Sequence, residues 1–261
     1  VVTPEAGRDE SRVVGADRVL AVLIELGGHP QGTTLDELAQ VMRSPKPTVH
    51  RALTSLRKVG LATQIRRGTY ALGDEFFRLA FRNFAERPET MLITPILEEL
   101  SQRYGETAHY AVLDGAEVVY RAKTDPPGGA VRLTSVVGGR NPAYRTAVGK
   151  LLLSRHVDSE AELRELLGTE PLDERTPQTI TDMGRLWSEL QLVRERGFAV
   201  DDQENEVGVN CVAVPVYPVP GAAASGAVSV SALAFRLPLA DLVQEVPTII
   251  GIVEGGPRTA G

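Results

Sequence analysis

The stretch SPKPTVHRALTSLRKVG, residues 44–60, permits one kind of element and dictates where it begins. Pro45 and Pro47 are barred from a helix interior, where each would delete a hydrogen bond and clash with the preceding turn. Both fit a first turn, whose amides have no intrahelical partner. Val49, Leu53 and Leu56, with Val59 or Leu61, then recur at helical spacing and mark an inward face. Thr48, Arg51, Ser55 and Lys58 fall on the opposite face. Ser44 stands at the expected N-cap and Pro45 at the first helical position. The prolines start this helix; they do not break it.

The neighbouring segments complete a small unit. GADRVLAVLIELGG places Val19, Val22, Leu23 and Leu26 on one face and ends in glycines, which predicts a helix over 15–27. In TTLDELAQVM, Thr34 and Glu37 have the spacing of a capping box, ahead of the apolar stripe Leu35, Leu38, Ala39 and Met42. LATQI and TYALG read as strands joined by RRG, a hairpin with a basic tip. Three helices, a short turn before the third and then a hairpin make a winged helix-turn-helix.

Charge separates this unit from the rest. Residues 1–73 hold 10 Lys+Arg against 7 Asp+Glu, and residues 74–261 hold 18 against 27. From Leu38 to Gly73 there is no acid, against the bases Arg43, Lys46, Arg51, Arg57, Lys58, Arg66 and Arg67. Such a one-sign field concentrates polyanions, and the acidic remainder repels them. Double-stranded DNA is the expected partner. Lys46, Pro47, Thr48, His50 and Arg51 are placed to enter the major groove, with arginine suited to guanine and Thr48 to a thymine methyl. Arg57, Lys58, Arg66 and Arg67 are placed to hold phosphates. Thr34 and Ser44, the expected caps of the second and third helices, complete the candidate DNA-facing set.

Beyond Gly73, DEFFRLAFRNFAERP is amphipathic, with Phe76, Leu79, Ala80 and Phe84 on one side; residues 74–90 read as a helical linker. ITPILEELSQRYG is a further helix. From about 106 the pattern changes to α/β. TAHYAVLDGAEVVYRAK is strand, Asp114-Gly115 turn, strand, and GAVRLTSVVG is a third strand. TAVGKLLLSRH, SEAELRELLG and TDMGRLWSELQLVRERG are helices, the last capped by Thr181 and closed by Gly197. FAVDDQE, VNCVAVPVY and AVSVSAL are strands, PVPGAAASG is a loop, and PLADLVQEVPTIIGIVEG is a helix interrupted at Pro247. The order predicts a mostly antiparallel sheet with helices packed on it, like GAF or PAS sensor domains, over 91–261. The fold class is therefore α+β multidomain: winged helix-turn-helix over 1–73, linker over 74–90, effector domain over 91–261.

The chain of 261 residues has room for two domains. It has no apolar run of the length that spans a membrane. VVTPEAGRDESRVVG has no signal-peptide core, and the single cysteine, Cys211, excludes an internal disulfide. These features read as cytoplasmic. His29, His50, His109 and His156 are scattered without metal-ligand spacing, so neither a metal nor another cofactor is expected.

Read in order, LDELAQ, PKPTVHRALTSLRKVGL, YALG, GGRNPAYRTAVGK, LVRERGFAVDDQENEVGVNCVAVPV and AVSVS resemble bacterial transcriptional regulators of the IclR type, over nearly the whole chain. The resemblance implies a ligand-responsive, sequence-specific DNA-binding regulator, not an enzyme: a repressor, with dual action open. It also implies homodimers through the N-terminal domains, often tetramers through the effector domains, and a small-molecule effector. The effector pocket it implies takes Ala147, Val148, Asp201, Ser229 and Ser231, with Leu133 and Asn141 adding to the wall. Ser229 and Ser231 share a strand face, and their hydroxyls need partners that a small organic or aromatic acid would supply. Free amides at the helix start near Gly149 favour an anion. Cys211 has three readings: pocket wall, small core residue, or nucleophile. Two alternatives of another class stand beside these, an enzyme built on Cys211 or the Asp201 cluster, and a winged helix that binds protein. The chain departs from the family pattern at Arg43-Ser44, where glycine and an apolar residue are usual, at Pro47, where serine is, and at Tyr144, where histidine is.

Overall fold

The computed structural model describes residues 15–85, 88–128, 133–168, 171–217 and 224–255, with side chains left undescribed over 83–91. The chain divides into two compact units, Val1–Arg87 and Pro88–Gly261.

The first unit runs α1 (Gly15–Gly27), β1 (Thr33–Thr34), α2 (Leu35–Val41), α3 (Lys46–Lys58), β2 (Ala62–Arg66), β3 (Thr69–Leu72) and α4 (Asp74–Ala85). Val22, Leu26, Leu38, Val49, Leu53 and Leu56 meet in one core with Ala62 and Tyr70 of the hairpin. This is a winged helix-turn-helix. The two-residue β1 has no sequence signal of its own; it pairs with β3 and makes the wing three-stranded. The capping box on α2 forms, with Thr34 and Glu37 bonding reciprocally. At α3 the expectation for Ser44 is corrected. Pro45 stays extended at φ −58°, ψ 135°, so the helix begins at Lys46 and Pro45 occupies the cap without a side-chain bond. The Ser44 hydroxyl is left buried with no partner. Of the two residues expected to close the inward face, Val59 is 57% exposed and Leu61 packs on the core. On α4, Phe77 and Phe81 lie off the expected apolar face and stack at 6.2 Å while exposed. Phe84 lies outside the described side chains.

The second unit runs α5 (Pro88–Tyr104), β4 (Thr107–Asp114), β5 (Glu117–Thr124) and β6 (Arg140–Pro142). A single 3₁₀ turn over Ala143–Arg145 leads to α6 (Ala147–His156), α7 (Glu160–Leu167) and α8 (Met183–Arg196). Then follow β7 (Ala199–Asp202), β8 (Val209–Val216), β9 (Gly226–Leu233), α9 (Leu239–Gln244) and α10 (Val246–Gly255). The sheet is antiparallel throughout, in the order β6-β5-β4-β9-β8-β7. Strand alternation sorts the two faces. Tyr110, Val212, Val214, Val228 and Val230 pack with α5, α9 and α10. Ala111, Ala213 and Ala227 pack with α6 and α8.

Four expectations are corrected here. Part of the expected third strand, residues 129–132, lies outside the described residues; 133–138 forms no strand, and β6 begins only at Arg140. Pro142 ends this short edge strand, the place in a sheet where proline is tolerated. The turn after β4 is Gly115-Ala116, flanked by the Asp114–Glu117 pair. Asp182, not Thr181, caps α8, accepting from the Arg185 amide at 2.8 Å. The C-terminal helix breaks at Glu245, and Pro247 falls in the first turn of α10, where it costs no hydrogen bond. Most of the expected loop over PVPGAAASG, residues 218–223, lies outside the described residues.

One ion pair ties the sheet edge to α6. The Lys150 ammonium, nearly fully buried, donates to the Glu204 carboxylate in the β7–β8 loop. Removing one partner strands a buried charge at a cost of about 3–5 kcal/mol, whereas replacing both by apolar groups is often neutral. Urea denaturation is therefore expected to show a loss of that size in Lys150→Met and recovery of most of it in Lys150→Met/Glu204→Leu.

Candidate functional site

Two surfaces carry the candidate residues, one in each unit. On the first, Lys46, Pro47, His50, Arg51, Arg57 and Lys58 are exposed along α3, Thr48 is half-buried, and Arg66 and Arg67 are exposed at the hairpin tip. Leu35, Lys46, Pro47, His50 and Arg51 line a shallow cleft at the start of α3. Lys46 pairs with Asp36 of α2 at 2.9 Å, both exposed, and Arg57 lies over the Tyr70 ring, 6.0 Å from its centroid. The Thr34 hydroxyl is engaged in its own cap, and Ser44 is buried at its oxygen, so neither offers a free hydroxyl outward.

On the second, register builds the site. Asp201 pairs across with Cys211, Cys211 with Ser231, Ala213 with Ser229, and Ser229 with His109. Four strands thus carry a polar row on the face that otherwise packs with α6. The row lines a cavity of about 230 Å³, closed by the first turn of α6 and the segment 133–141. All eight candidate residues, Leu133, Asn141, Ala147, Val148, Asp201, Cys211, Ser229 and Ser231, line this one cavity. The expectation of a free amide at Gly149 is corrected: that amide donates to Thr146 Oγ1 at 3.0 Å. Gly149 instead lets α6 approach the 3₁₀ turn, because a Cβ there would lie 2.1 Å from the Ala143 carbonyl oxygen. Ala147 and Val148, ahead of it, are the first-turn residues that reach the cavity. Tyr144 lies outside the lining; its hydroxyl donates to the Asp173 carbonyl at 2.6 Å.

The structure adds lining residues that sequence reasoning missed, among them His109, Tyr120, Ser135 and Arg145. For His109 and Tyr120 the signal is the β4–β5–β9 register, and for Ser135 and Arg145 it is the path of the connections around β6; no local pattern contains either. His109 is central. The Cys211 thiol donates to Ser231 Oγ at 3.1 Å, Ser231 Oγ lies 3.3 Å from His109 Nδ1, and His109 Nε2 lies 2.8 Å from Ser135 Oγ. The neutral ring thus joins the two serines, one of its nitrogens donating and the other accepting. Burial, assisted by Lys123, pushes the imidazole down to about 3, so it is neutral. Lys123 in turn donates to the Leu133 and Ser135 carbonyls at 3.0 and 2.8 Å, holding 133–135 over the cavity. Arg145 Nε donates to Asn205 Oδ1 at 3.0 Å and fixes the opposite wall.

Asp201 is the buried acid of the row. Its Oδ1 accepts from the Glu204 and Asn205 amides at 2.7 and 3.4 Å. Burial nevertheless pushes its carboxyl up to about 7, with Lys150 opposing and Glu204 adding to the rise. Burial also pushes the Cys211 thiol up, with the Asp201 charge adding to it. That is the reverse of what a thiolate nucleophile needs. Among the described residues no group of three or more His, Cys, Asp or Glu could hold a metal ion.

With this geometry in place, comparison with known proteins decides the family. Residues 15–66 match the IclR helix-turn-helix domain, and residues 90–250 match the bacterial transcriptional regulator IclR C-terminal domain. The chain belongs to the IclR family of transcriptional regulators. It is 33% identical over 204 residues to the Pca regulon regulatory protein of Pseudomonas putida, covering 78% of this chain and 69% of that one. It is 30% identical over 227 residues to the DNA-binding transcriptional repressor YiaJ of Escherichia coli, covering 83% and 78%. The crystal structure of an IclR transcriptional regulator from Alicyclobacillus acidocaldarius superposes with a TM-score of 0.77 at 27% identity, covering 91% and 95%. An IclR homologue from Microbacterium hydrocarbonoxydans, complexed with 4-hydroxybenzoate, shares the fold at TM-score 0.75 and 24% identity, covering 90% and 98%. These relatives are transcriptional regulators, not enzymes, and the enzyme reading of Cys211 is set aside.

Two measurements check the electrostatics of this regulator's pocket. As pH rises from 3.8 towards about 7 the unfolded Asp201 releases its proton while the folded one keeps it, so this residue's contribution to stability declines across that window. Denaturation curves are expected to show Asp201→Asn gaining on the parent through the window and the difference levelling above it. ¹⁵N spectra of the imidazoles are expected to show His109 neutral and unchanging across the physiological range; a ring that takes up a proton there would contradict its burial.

Proposed function

We propose that the protein is a repressor that a small organic acid, aliphatic or aromatic, releases from or retains on a pseudo-palindromic operator. The observation that carries this reading is the cavity itself. Ser229, only 3% exposed, faces it beside the Ser231–His109 chain and the first turn of α6. A carboxylate suits the helix start, where amides lack intrahelical partners, and a hydroxyl or carbonyl suits the serine end. That a homologue of the same fold is complexed with 4-hydroxybenzoate is compatible with this class of ligand.

At the DNA, Lys46, Pro47, Thr48, His50 and Arg51 face base edges while Arg57, Lys58, Arg66 and Arg67 hold phosphates. The working form is a dimer, since two recognition helices on a two-fold axis read two half-sites. The exposed apolar side chains Leu20 and Ile24 of α1 and Phe77 and Phe81 of α4 support a partner chain at the N-terminal unit. Dimers of dimers through the effector units are the larger form. The effector acts by its differential affinity for two packings of its own unit, and residues 74–90 carry the difference to the recognition helices.

The test is selection of sheared genomic DNA on the purified protein at near-physiological salt, with and without metabolite extract. Enrichment of a pseudo-palindrome upstream of metabolic genes is expected; no enrichment in either condition sinks the reading. On an enriched site, Arg66→Ala is expected to weaken all sequences alike and flatten the log–log salt slope by about 0.9. Arg51→Ala is expected to relax preference at one position, worth about 1–3 kcal/mol of discrimination. Unchanged sequence preference would contradict a base-reading role for Arg51.

A further inference from the structure

The turn between α2 and α3 holds two local defects side by side. Arg43 has φ +45°, in the left-handed region that favours glycine, and apart from Gln203 it is the sole non-glycine residue there among those described. The next residue, Ser44, buries a hydroxyl that no group satisfies. The backbone around them is otherwise secured: the Arg43 amide donates to the Gln40 carbonyl at 3.1 Å and the Ser44 amide to Ala39 at 3.0 Å. The strain therefore comes from the residue types, not from the path of the chain. Glycine would relieve the first defect and an apolar residue the second. The two amide bonds close α2 as a Schellman cap with Arg43 in its left-handed position, so the turn is sound and what is unusual is an arginine where glycine costs least, beside an unsatisfied hydroxyl.

Arg43 is exposed, and its guanidinium has no ion-pair or hydrogen-bond partner among the described residues. It lies three residues before Lys46, the first residue of the recognition helix, inside the acid-free stretch of the chain. Lys46 already spends part of its charge on Asp36. We propose that Arg43 is a phosphate-binding residue of the DNA interface, kept in a left-handed position because its guanidinium anchors the strand beside the N-terminus of α3. This rests on the reading of α3 as the recognition helix. Arginine suits the role, since its planar fork matches a phosphate bidentately and holds its charge at every physiological pH. A contact of this kind carries no sequence information. It fixes the angle at which α3 enters the groove.

The experiment compares the parent protein with Arg43→Gly, Arg43→Asn and Arg43→Lys on a mixed-sequence DNA duplex, by fluorescence anisotropy over a series of salt concentrations, and measures their melting. Gly and Asn both tolerate the left-handed region and both remove the charge. Arg43→Gly is expected to raise the melting temperature of the N-terminal unit by roughly 4 °C. Both neutral variants are expected to lower affinity roughly fivefold and flatten the log–log salt slope by about 0.9, the signature of one lost phosphate contact. Arg43→Lys keeps the strain and the charge, and is expected to keep the slope. A merely structural residue would move melting and affinity in the same direction. Neutral variants with an unchanged slope would overturn the proposal while leaving the recognition helix intact. A parent that does not bind the duplex at all would overturn the recognition-helix reading and this proposal with it.

Discussion

The antiparallel register of β7, β8, β9 and β4 is what the effector unit depends on. It sets Asp201, Cys211 and Ser231 opposite one another, and Ala213, Ser229 and His109 opposite one another in the next rank. A slip of one residue would turn every side chain to the other face. The serines would then meet α5, α9 and α10, and Val212, Val228 and Val230 would meet the cavity. The valines on one face and the alanines on the other prevent this, because only small residues leave room for α6 to lie close. The cavity is the part of that face that neither α6 nor alanine fills.

The segment TAVGK, residues 146–150, converts that register into a site. Thr146 caps α6, Ala147 and Val148 line the cavity, Gly149 allows the close approach to the preceding turn, and Lys150 pairs with Glu204 beneath. The same loop that supplies Glu204 supplies the amides that hold Asp201. Asp201, which lines the cavity, is therefore held by a loop already bonded to α6. Asp201 and the Lys150–Glu204 pair are thus buried together and joined through one loop.

Much of this is legible in the sequence, and the boundary is physical. Elements whose signal is local were clear: the proline-initiated α3, the Thr34–Glu37 box and the period-two strands. The eight cavity residues follow from family resemblance, and strand alternation by itself places only Ser229 and Ser231 on one face. What could not be read depends on distant chain segments. β1 exists only because Thr33 and Thr34 meet β3, and His109 faces the cavity only because β4 pairs with β9. Ser44 failed as a cap because Pro45 took the extended conformation, a choice between two allowed wells that sequence spacing does not decide. The same holds for Thr181 against Asp182, adjacent residues that can both cap a helix.

The most direct test of the link between the two units is to fill the cavity and leave the DNA face untouched. Operator binding would be measured for the parent and for Ser229→Leu, whose added side chain occupies the space beside Ser231, with and without a small-acid fraction of cell extract. The expected result is that the parent's affinity shifts with the fraction, while the variant binds the operator equally well and does not respond. A variant that keeps the full response would contradict the assignment of effector control to this cavity.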